Sequence, residues 1–202
     1  MSRTKILWVT YWMVDKIAFR PVTSENWHDF EKLFESRGGP KSCWCTVWRT
    51  VETLPVAERP ATAKKLEMKR RISSGEPVGL LGYFDSEPVA WCSIAPRDTY
   101  RASMSDMMPG DEKQSIWSIV CFFVSRPFRG QGMFQKMISA AEEHAAKNGA
   151  TLLEGYPVDP DSPSYRFGGY VSAFEQAEYA LVGRKGARRH IVRKMLSQNR
   201  AE

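Results

Sequence analysis

Apolar and polar positions recur along this chain in blocks whose period changes, and each change marks a new element. Ile17-Ala18-Phe19-Arg20-Pro21-Val22 is a short strand stopped by proline. Thr23 or Ser24 is placed to cap the helix that follows. In it Trp27, Phe30, Leu33 and Phe34 recur at spacings of three and four and so share one face. Gly38-Gly39-Pro40 ends it. Ser42 to Arg49 is dense in bulky residues. Residues 57–72 predict a second helix, with Pro60 near its first turn and a largely solvated basic face. Val78 to Phe84 and Val89 to Ile94 predict an antiparallel pair around the turn Asp85-Ser86-Glu87. Residues 97–113 are polar and predict a loop. Ser115 to Val124 is apolar without clean alternation, the pattern of a central strand covered on both faces. From about Gly130 to Asn148, Phe134, Met137, Ile138, Ala141 and Ala145 mark the buried face of a helix that Gly149 closes. Thr151 to Val158 is a further strand, residues 159–163 a loop and residues 171–178 a short helix. Leu181 to Arg184 and His190 to Met195 complete a terminal hairpin. The order β-α-α-β-β-β-α-β-α-β-β specifies an α/β (α+β) fold: a mixed sheet with antiparallel pairs, one parallel crossover and flanking helices. No repeat or low-complexity linker interrupts residues 17–202, which predicts one domain preceded by an N-terminal extension over residues 1–16.

Charge narrows the choice of partner. The chain of 202 residues carries a net charge of +6, and such a balance suits nucleic acid, a membrane surface or a polyanionic cofactor. Much of the excess lies in Arg184, Lys185, Arg188, Arg189, Arg193 and Lys194. Ile191-Val192 and Met195-Leu196 interrupt that run, which fits a hairpin with a charged turn better than a nucleic-acid tail. Residues 6–14 are apolar but too short to span a bilayer. Asp15-Lys16 ends them, and no small-residue cleavage signal follows, so a cytoplasmic protein is expected. Cys43 and Cys45 form C-x-C, with no His or second cysteine pair at zinc spacing. Together with Cys92 and Cys121 they predict free, buried thiols and no metal.

The strongest chemical signal is Val124-Ser125-Arg126-Pro127-Phe128-Arg129-Gly130-Gln131-Gly132-Met133-Phe134, where an apolar strand stops and glycines open a helix. Glycines let a backbone approach a ligand, and a helix N-terminus presents free N–H groups and a positive dipole end to phosphate oxygens. Arg126 and Arg129 add charge. A dinucleotide fingerprint needs a third glycine where Gln135 stands, and the Gly-Lys-Ser/Thr of a P-loop is absent. A glycine-rich turn without a ligand stays open on this motif alone.

The element order together with this turn resembles the GNAT superfamily of acyl-CoA-dependent N-acetyltransferases, whose signature is [RQ]-x-x-G-x-[GA] after the fourth strand. Arg129 to Met133 fit it, and Phe134 replaces the final small residue. The likeness is greatest to a bacterial branch with a Cys-Trp-Cys segment, matched by Cys43 to Cys45, and two further stretches matched by Trp91 to Arg97 and Glu154 to Asp159. The resemblance implies acetyl-CoA as co-substrate, with pantetheine between splayed fourth and fifth strands and paired to the backbone of Phe122, Phe123 and Val124. It implies a pyrophosphate held by the N–H groups of Arg129, Gly130, Gln131, Gly132, Met133 and Phe134, and a backbone N–H near Val124 polarising the thioester carbonyl. It also implies an amine acceptor, small molecule or peptide, rather than nucleic acid or membrane, and is compatible with a homodimer.

Many members of that family place a tyrosine acid where Phe174 stands here. Tyr170 and Ser172, and more loosely Tyr165, are the substitutes. Glu154 is the first candidate base, because a carboxylate in an apolar strand is unfavourable unless paired or used; Asp159 follows. Ser118 and Cys121 read as packing residues. Trp44, Trp48 and Trp91 are candidates for an acceptor wall, and Arg49 and Arg97 for binding an acidic acceptor group, with core packing and ion pairing as the competing readings. An acyl-CoA-binding regulatory module without catalysis is the alternative function, and nucleic-acid binding through the basic C-terminus a third.

Overall fold

The computed structural model describes residues 16–49, 60–104 and 106–197; the predicted N-terminal extension falls almost wholly outside them, as do residues 57–59 of the second predicted helix. Seven strands form one sheet among the described residues: β1 (Ala18–Pro21), β2 (Leu80–Phe84), β3 (Glu87–Pro96), β4 (Ile116–Val124), β5 (Leu152–Gly155), β6 (Ala180–Lys185) and β7 (Arg189–Met195), in the order β1-β2-β3-β4-β5-β7-β6. Only the β4–β5 pair is parallel. The basic C-terminal run forms the β6–β7 hairpin.

Helices cover both faces. α1 (Trp27–Glu35) and α2 (Ala61–Ser73) pack on one, where Phe30, Phe34, Trp44, Met68 and Trp91 lie in a single buried cluster. α3 (Met133–Lys147) covers the other through Met133, Met137, Ile138, Ala141 and Ala145, with α4 (Val171–Gln176) beside it. The predicted apolar spacings are those that face the sheet.

Several boundaries differ from the periodicity, each for a local reason. Neither Thr23 nor Ser24 caps α1; Asn26 takes the cap position, and its Oδ1 accepts the Thr23 N–H at 2.8 Å. Pro60 is the residue before α2, not inside it. α2 also buries Glu67 and Arg71, which pair at 2.6 Å, so its inner face is less apolar than a core helix needs and more buried than its basic sequence suggests. Residues 97–113 contain three single-turn 3-10 segments, whose short hydrogen bonds leave no periodic apolar pattern. α3 starts after Gly132, because Gly130 and Gly132 hold φ of 71° and 76° and cannot be helical.

The fifth strand is the informative case. It ends at Gly155, not Val158. Gly155 has no room for a side chain: a Cβ there would lie 2.5 Å from the Phe174 ring. Gly155→Ala is therefore expected to destabilise the fold by about 1–3 kcal/mol through overpacking. Urea unfolding checks this, and Phe174→Leu in the same background should restore part of the loss.

Candidate active site

Strand β4 builds the site. It pairs with β3 from Trp117 to Val124 but with β5 only from Ile116 to Ile119, opposite Leu152 to Gly155. Beyond that point the two chains part, and no strand among the described residues pairs with the β5-facing edge of Val120 to Val124. A bulge sits at the same place. Ser93 faces Cys121 and Ile94 faces Ile119, so Val120 is the extra residue. As a result Val120 and Cys121 both join the α1–α2 side, while Ile119 and Phe122 join the α3 side.

A cleft of about 440 Å³ opens where the strands part. Phe122, Phe123 and Val124 line it from β4, Arg129 to Phe134 excepting Gln131 from the turn, and Arg166 and Tyr170 from the far side. Nothing lies within 4 Å of where a Cβ would stand on Gly130 or Gly132, so the turn faces open space. Met133 and Phe134 begin α3, and their N–H groups have no intrahelical acceptor. The Arg129 N–H is already used, donating to the Arg126 carbonyl at 3.3 Å, and its side-chain Nε donates to the Val124 carbonyl at 2.8 Å. Gln131 turns away from the cleft and donates to the Pro127 carbonyl at 2.7 Å.

Phe134, the departure from the family signature, fits because a glycine faces it. Its ring lies 4.2 Å from that of Phe122, and a Cβ on Gly169 would sit 2.6 Å from its Cζ. The far wall is held by backbone bonds. Val158 donates to the Gly169 carbonyl at 2.9 Å and accepts from the Val171 N–H at 3.2 Å, while the Gln135 amide donates to the Ala173 carbonyl at 2.8 Å. These bonds set Tyr170, 37% exposed, at the mouth of the cleft.

A model of the Acetyltransferase (GNAT) family matches residues 42–167, more than half of the chain. The chain belongs to the GNAT acetyltransferase family. Solved structures agree on the fold at low identity. The GNAT domain of S. lividans PAT is 14% identical, with a TM-score of 0.55 over 88% of this chain and 89% of that one. The PaiA N-acetyltransferase of Thermoplasma acidophilum, solved with coenzyme A, is 12% identical with a TM-score of 0.52 over 89% and 98%. YncA of Salmonella typhimurium, solved with its cofactor acetyl-CoA, is 10% identical with a TM-score of 0.51 over 92% and 97%. Comparison with curated proteins returns no match.

The remaining candidates of this GNAT acetyltransferase separate into cleft and core. Ser172 is exposed on α4 and lines no part of the cleft. Phe174 is wholly buried, ring to ring with Phe122 and Tyr179. Glu154 is also wholly buried. Its carboxylate accepts from the Tyr156 hydroxyl and from Arg193 Nε at 2.6 Å, and Arg193 also grips Asp111 at 2.7 and 3.0 Å. Arg97 joins the same group at 2.8 Å from Asp111. Burial alone would raise the Asp111 pKa, but the hydrogen bonds from Arg193, Arg97 and the Met108 N–H outweigh it and hold the carboxyl well below the usual range. Asp159 stands apart from this group, paired with His190 at 2.9 Å.

Arg49 is no acceptor ligand. It is wholly buried, donates to the Val78 carbonyl at 3.1 Å and to Tyr100 at 3.0 Å, and lies over the Tyr100 ring. Trp44 and Trp91 are core residues as well. Trp48 lines a second cavity of about 280 Å³ that shares Phe122 and Phe123 with the cleft, while Trp44 reaches a separate hollow beside α2. A third hollow, lined by Arg37, Gly38, Phe123, Arg126 and Arg129, adjoins both. Arg166, Phe167 and Arg37 went unnoticed in the sequence. The pair Gly168-Gly169 flags a turn there, but nothing in the pattern shows which side chains that turn carries into the cleft.

The four cysteines are free, and among the described residues no three His, Cys, Asp or Glu side chains converge on a metal position. No described helix is long and apolar enough to cross a membrane.

Proposed function

We propose that this chain transfers an acetyl group from acetyl-CoA to the amine of a small molecule or peptide by direct attack of the nitrogen on the thioester carbonyl. The observation that carries the reading is the cleft between the free end of β4 and the turn at Gly130 to Phe134. Pantetheine lies along the backbone of Phe122, Phe123 and Val124, whose β5-facing edge lacks a strand partner among the described residues. The pyrophosphate meets the N–H groups of Gly130, Gln131, Gly132, Met133 and Phe134, with Arg129 beside them. The tetrahedral oxyanion is met by a backbone N–H near Val124. As the C–S bond breaks, Tyr170, the one hydroxyl side chain among the described residues lining the cleft, gives its proton to the departing thiolate, while the nitrogen sheds its extra proton to solvent and solvent reprotonates the tyrosine. Glu154 enters only through the Tyr156 hydroxyl that it holds. The four free thiols suit a reducing cytoplasm, where we place the protein.

Steady-state release of CoA thiol across a panel of amines tests the reaction. Tyr170→Phe should lower kcat about tenfold and leave acetyl-CoA affinity unchanged. That lies below the usual range for general acids because a thiol, with a pKa of about 8.5, already leaves tolerably as a thiolate. The second reading, an acyl-CoA-binding regulatory module, draws on Phe174 being core and Glu154 being fully committed to other groups. Tight acetyl-CoA binding with no thiol release on any amine selects it.

A further inference from the structure

The acceptor side of the site is built around the strained segment after α1. Trp44 and Cys45 both adopt positive φ, 46° and 51°. Each such non-glycine residue costs about 1–3 kcal/mol and persists only where its surroundings over-determine it. Here they do. Trp44 N–H donates to the Pro40 carbonyl at 3.0 Å, the Thr46 N–H and hydroxyl both reach the Cys43 carbonyl, and Trp91 Nε1 donates to Cys45 Sγ at 3.0 Å. The strained turn presents Cys43, Cys45, Val47 and Trp48 to the 280 Å³ cavity, whose opposite wall is Phe123 and Phe167. Trp48 is itself clamped. The Arg189 guanidinium lies 4.3 Å from its ring centre, and Tyr165, another residue at positive φ, stacks on it at 5.9 Å.

Two features of this cavity select the acceptor. None of the ten described residues that line it carries a charge: the Cys45 thiol and burial push the Cys43 thiol up, and burial and the Cys121 thiol push Cys45 up, so both stay protonated. The hollow adjoining it through Phe123 is lined by three arginines. A polyamine or a lysine-rich peptide would bring extra positive charge to a wall with no anion and to a cationic neighbour. An apolar cavity of about 150 Å³ accommodates a benzene ring, so this one has room for a ring and a short alkyl arm. Its shared walls, Phe122 and Phe123, direct that arm to the cleft.

Resting on the acetyltransferase reading above, we infer that the acceptor is a compact primary amine with an aromatic or branched aliphatic body and no second cationic group, held with its body between Trp48, Val47, Phe123 and Phe167.

The test is CoA-thiol release by the full chain from acetyl-CoA with 2-phenylethylamine, isoamylamine, spermidine and a lysine-containing peptide. The two apolar amines should exceed both cationic acceptors in kcat/KM by at least about tenfold, the smallest discrimination expected of an apolar pocket. Val47→Asp, at a position 37% exposed and so tolerant of a carboxylate, should narrow or reverse that ratio while acetyl-CoA affinity, measured by calorimetry, stays the same. Preference for spermidine or the peptide in the unaltered chain overturns the inference and leaves the acetyltransferase reading standing. So does a ratio that Val47→Asp does not move. Acetyl-CoA binding without turnover of any of the four overturns both.

Discussion

Gly132→Trp is expected to lower acetyl-CoA affinity at least about a hundredfold. The indole would occupy the open space in front of the turn and keep the pyrophosphate from the N–H groups of Gly132 and Met133. Losing two hydrogen bonds to a charged group removes about 3–6 kcal/mol, and about 2.8 kcal/mol already corresponds to a hundredfold. The control is Gly132→Ala. Its methyl group meets nothing within 4 Å, so it carries only the strain of φ at 76°, about 1–2 kcal/mol of stability. Calorimetric titration, with circular dichroism to confirm folding, separates the two effects. A folded Gly132→Trp chain that binds acetyl-CoA like the unaltered one would remove the pyrophosphate assignment.

Arg193→Met should destabilise the fold by about 3–5 kcal/mol, because it leaves two buried carboxylates, Glu154 and Asp111, to the single guanidinium of Arg97. Urea unfolding at neutral pH measures it. Adding Glu154→Gln to Arg193→Met should recover much of the loss, since Arg97 and Asp111 then remain as a matched pair. Asp111 also fixes a pH dependence. Its folded pKa is depressed, so its contribution is complete above the unfolded value of about 3.9 and is lost as the pH falls below that toward the folded value. The unaltered chain should therefore weaken steeply below about pH 4, and Asp111→Asn should weaken less. Equal acid sensitivity in both would show that Arg193 and Arg97 do not hold the carboxylate ionised.

How far the sequence reveals this molecule depends on whether a property is local. The apolar faces of α1 and α3 are set by spacing within each helix, and they face the sheet as the spacing requires. The turn at Arg126 to Phe134 combines a proline, two glycines and a strand end within a few residues, so its place can be read directly, while the positive φ of both glycines moves the helix start from Gly130 to Met133. The length of β5 cannot. It ends where Phe174, nineteen residues onward, fills the space beside Gly155, a contact between distant parts of the chain. Arg49 and Glu154 show the same limit. Each is a charged residue in an apolar setting, which signals a partner or a use, and only the fold shows that Val78, Tyr100 and Glu76 surround the first while Tyr156 and Arg193 hold the second. Phe134 breaks the family pattern in the sequence, and the glycine that accommodates it, Gly169, lies thirty-five residues away.

The bulge at Val120 sets eight residues of β4, Trp117 to Val124, against seven of β3, Ala90 to Pro96. Upstream of it, odd-numbered residues such as Trp117 and Ile119 face α3; downstream, even-numbered Phe122 and Val124 do. The strand is thus written in two reading frames. Removing Val120 would merge the two frames into one regular alternation that still carries Phe122 to α3 and Phe123 to the opposite face, whereas inserting one residue after Cys121 in an otherwise unchanged strand would exchange the two halves of the site.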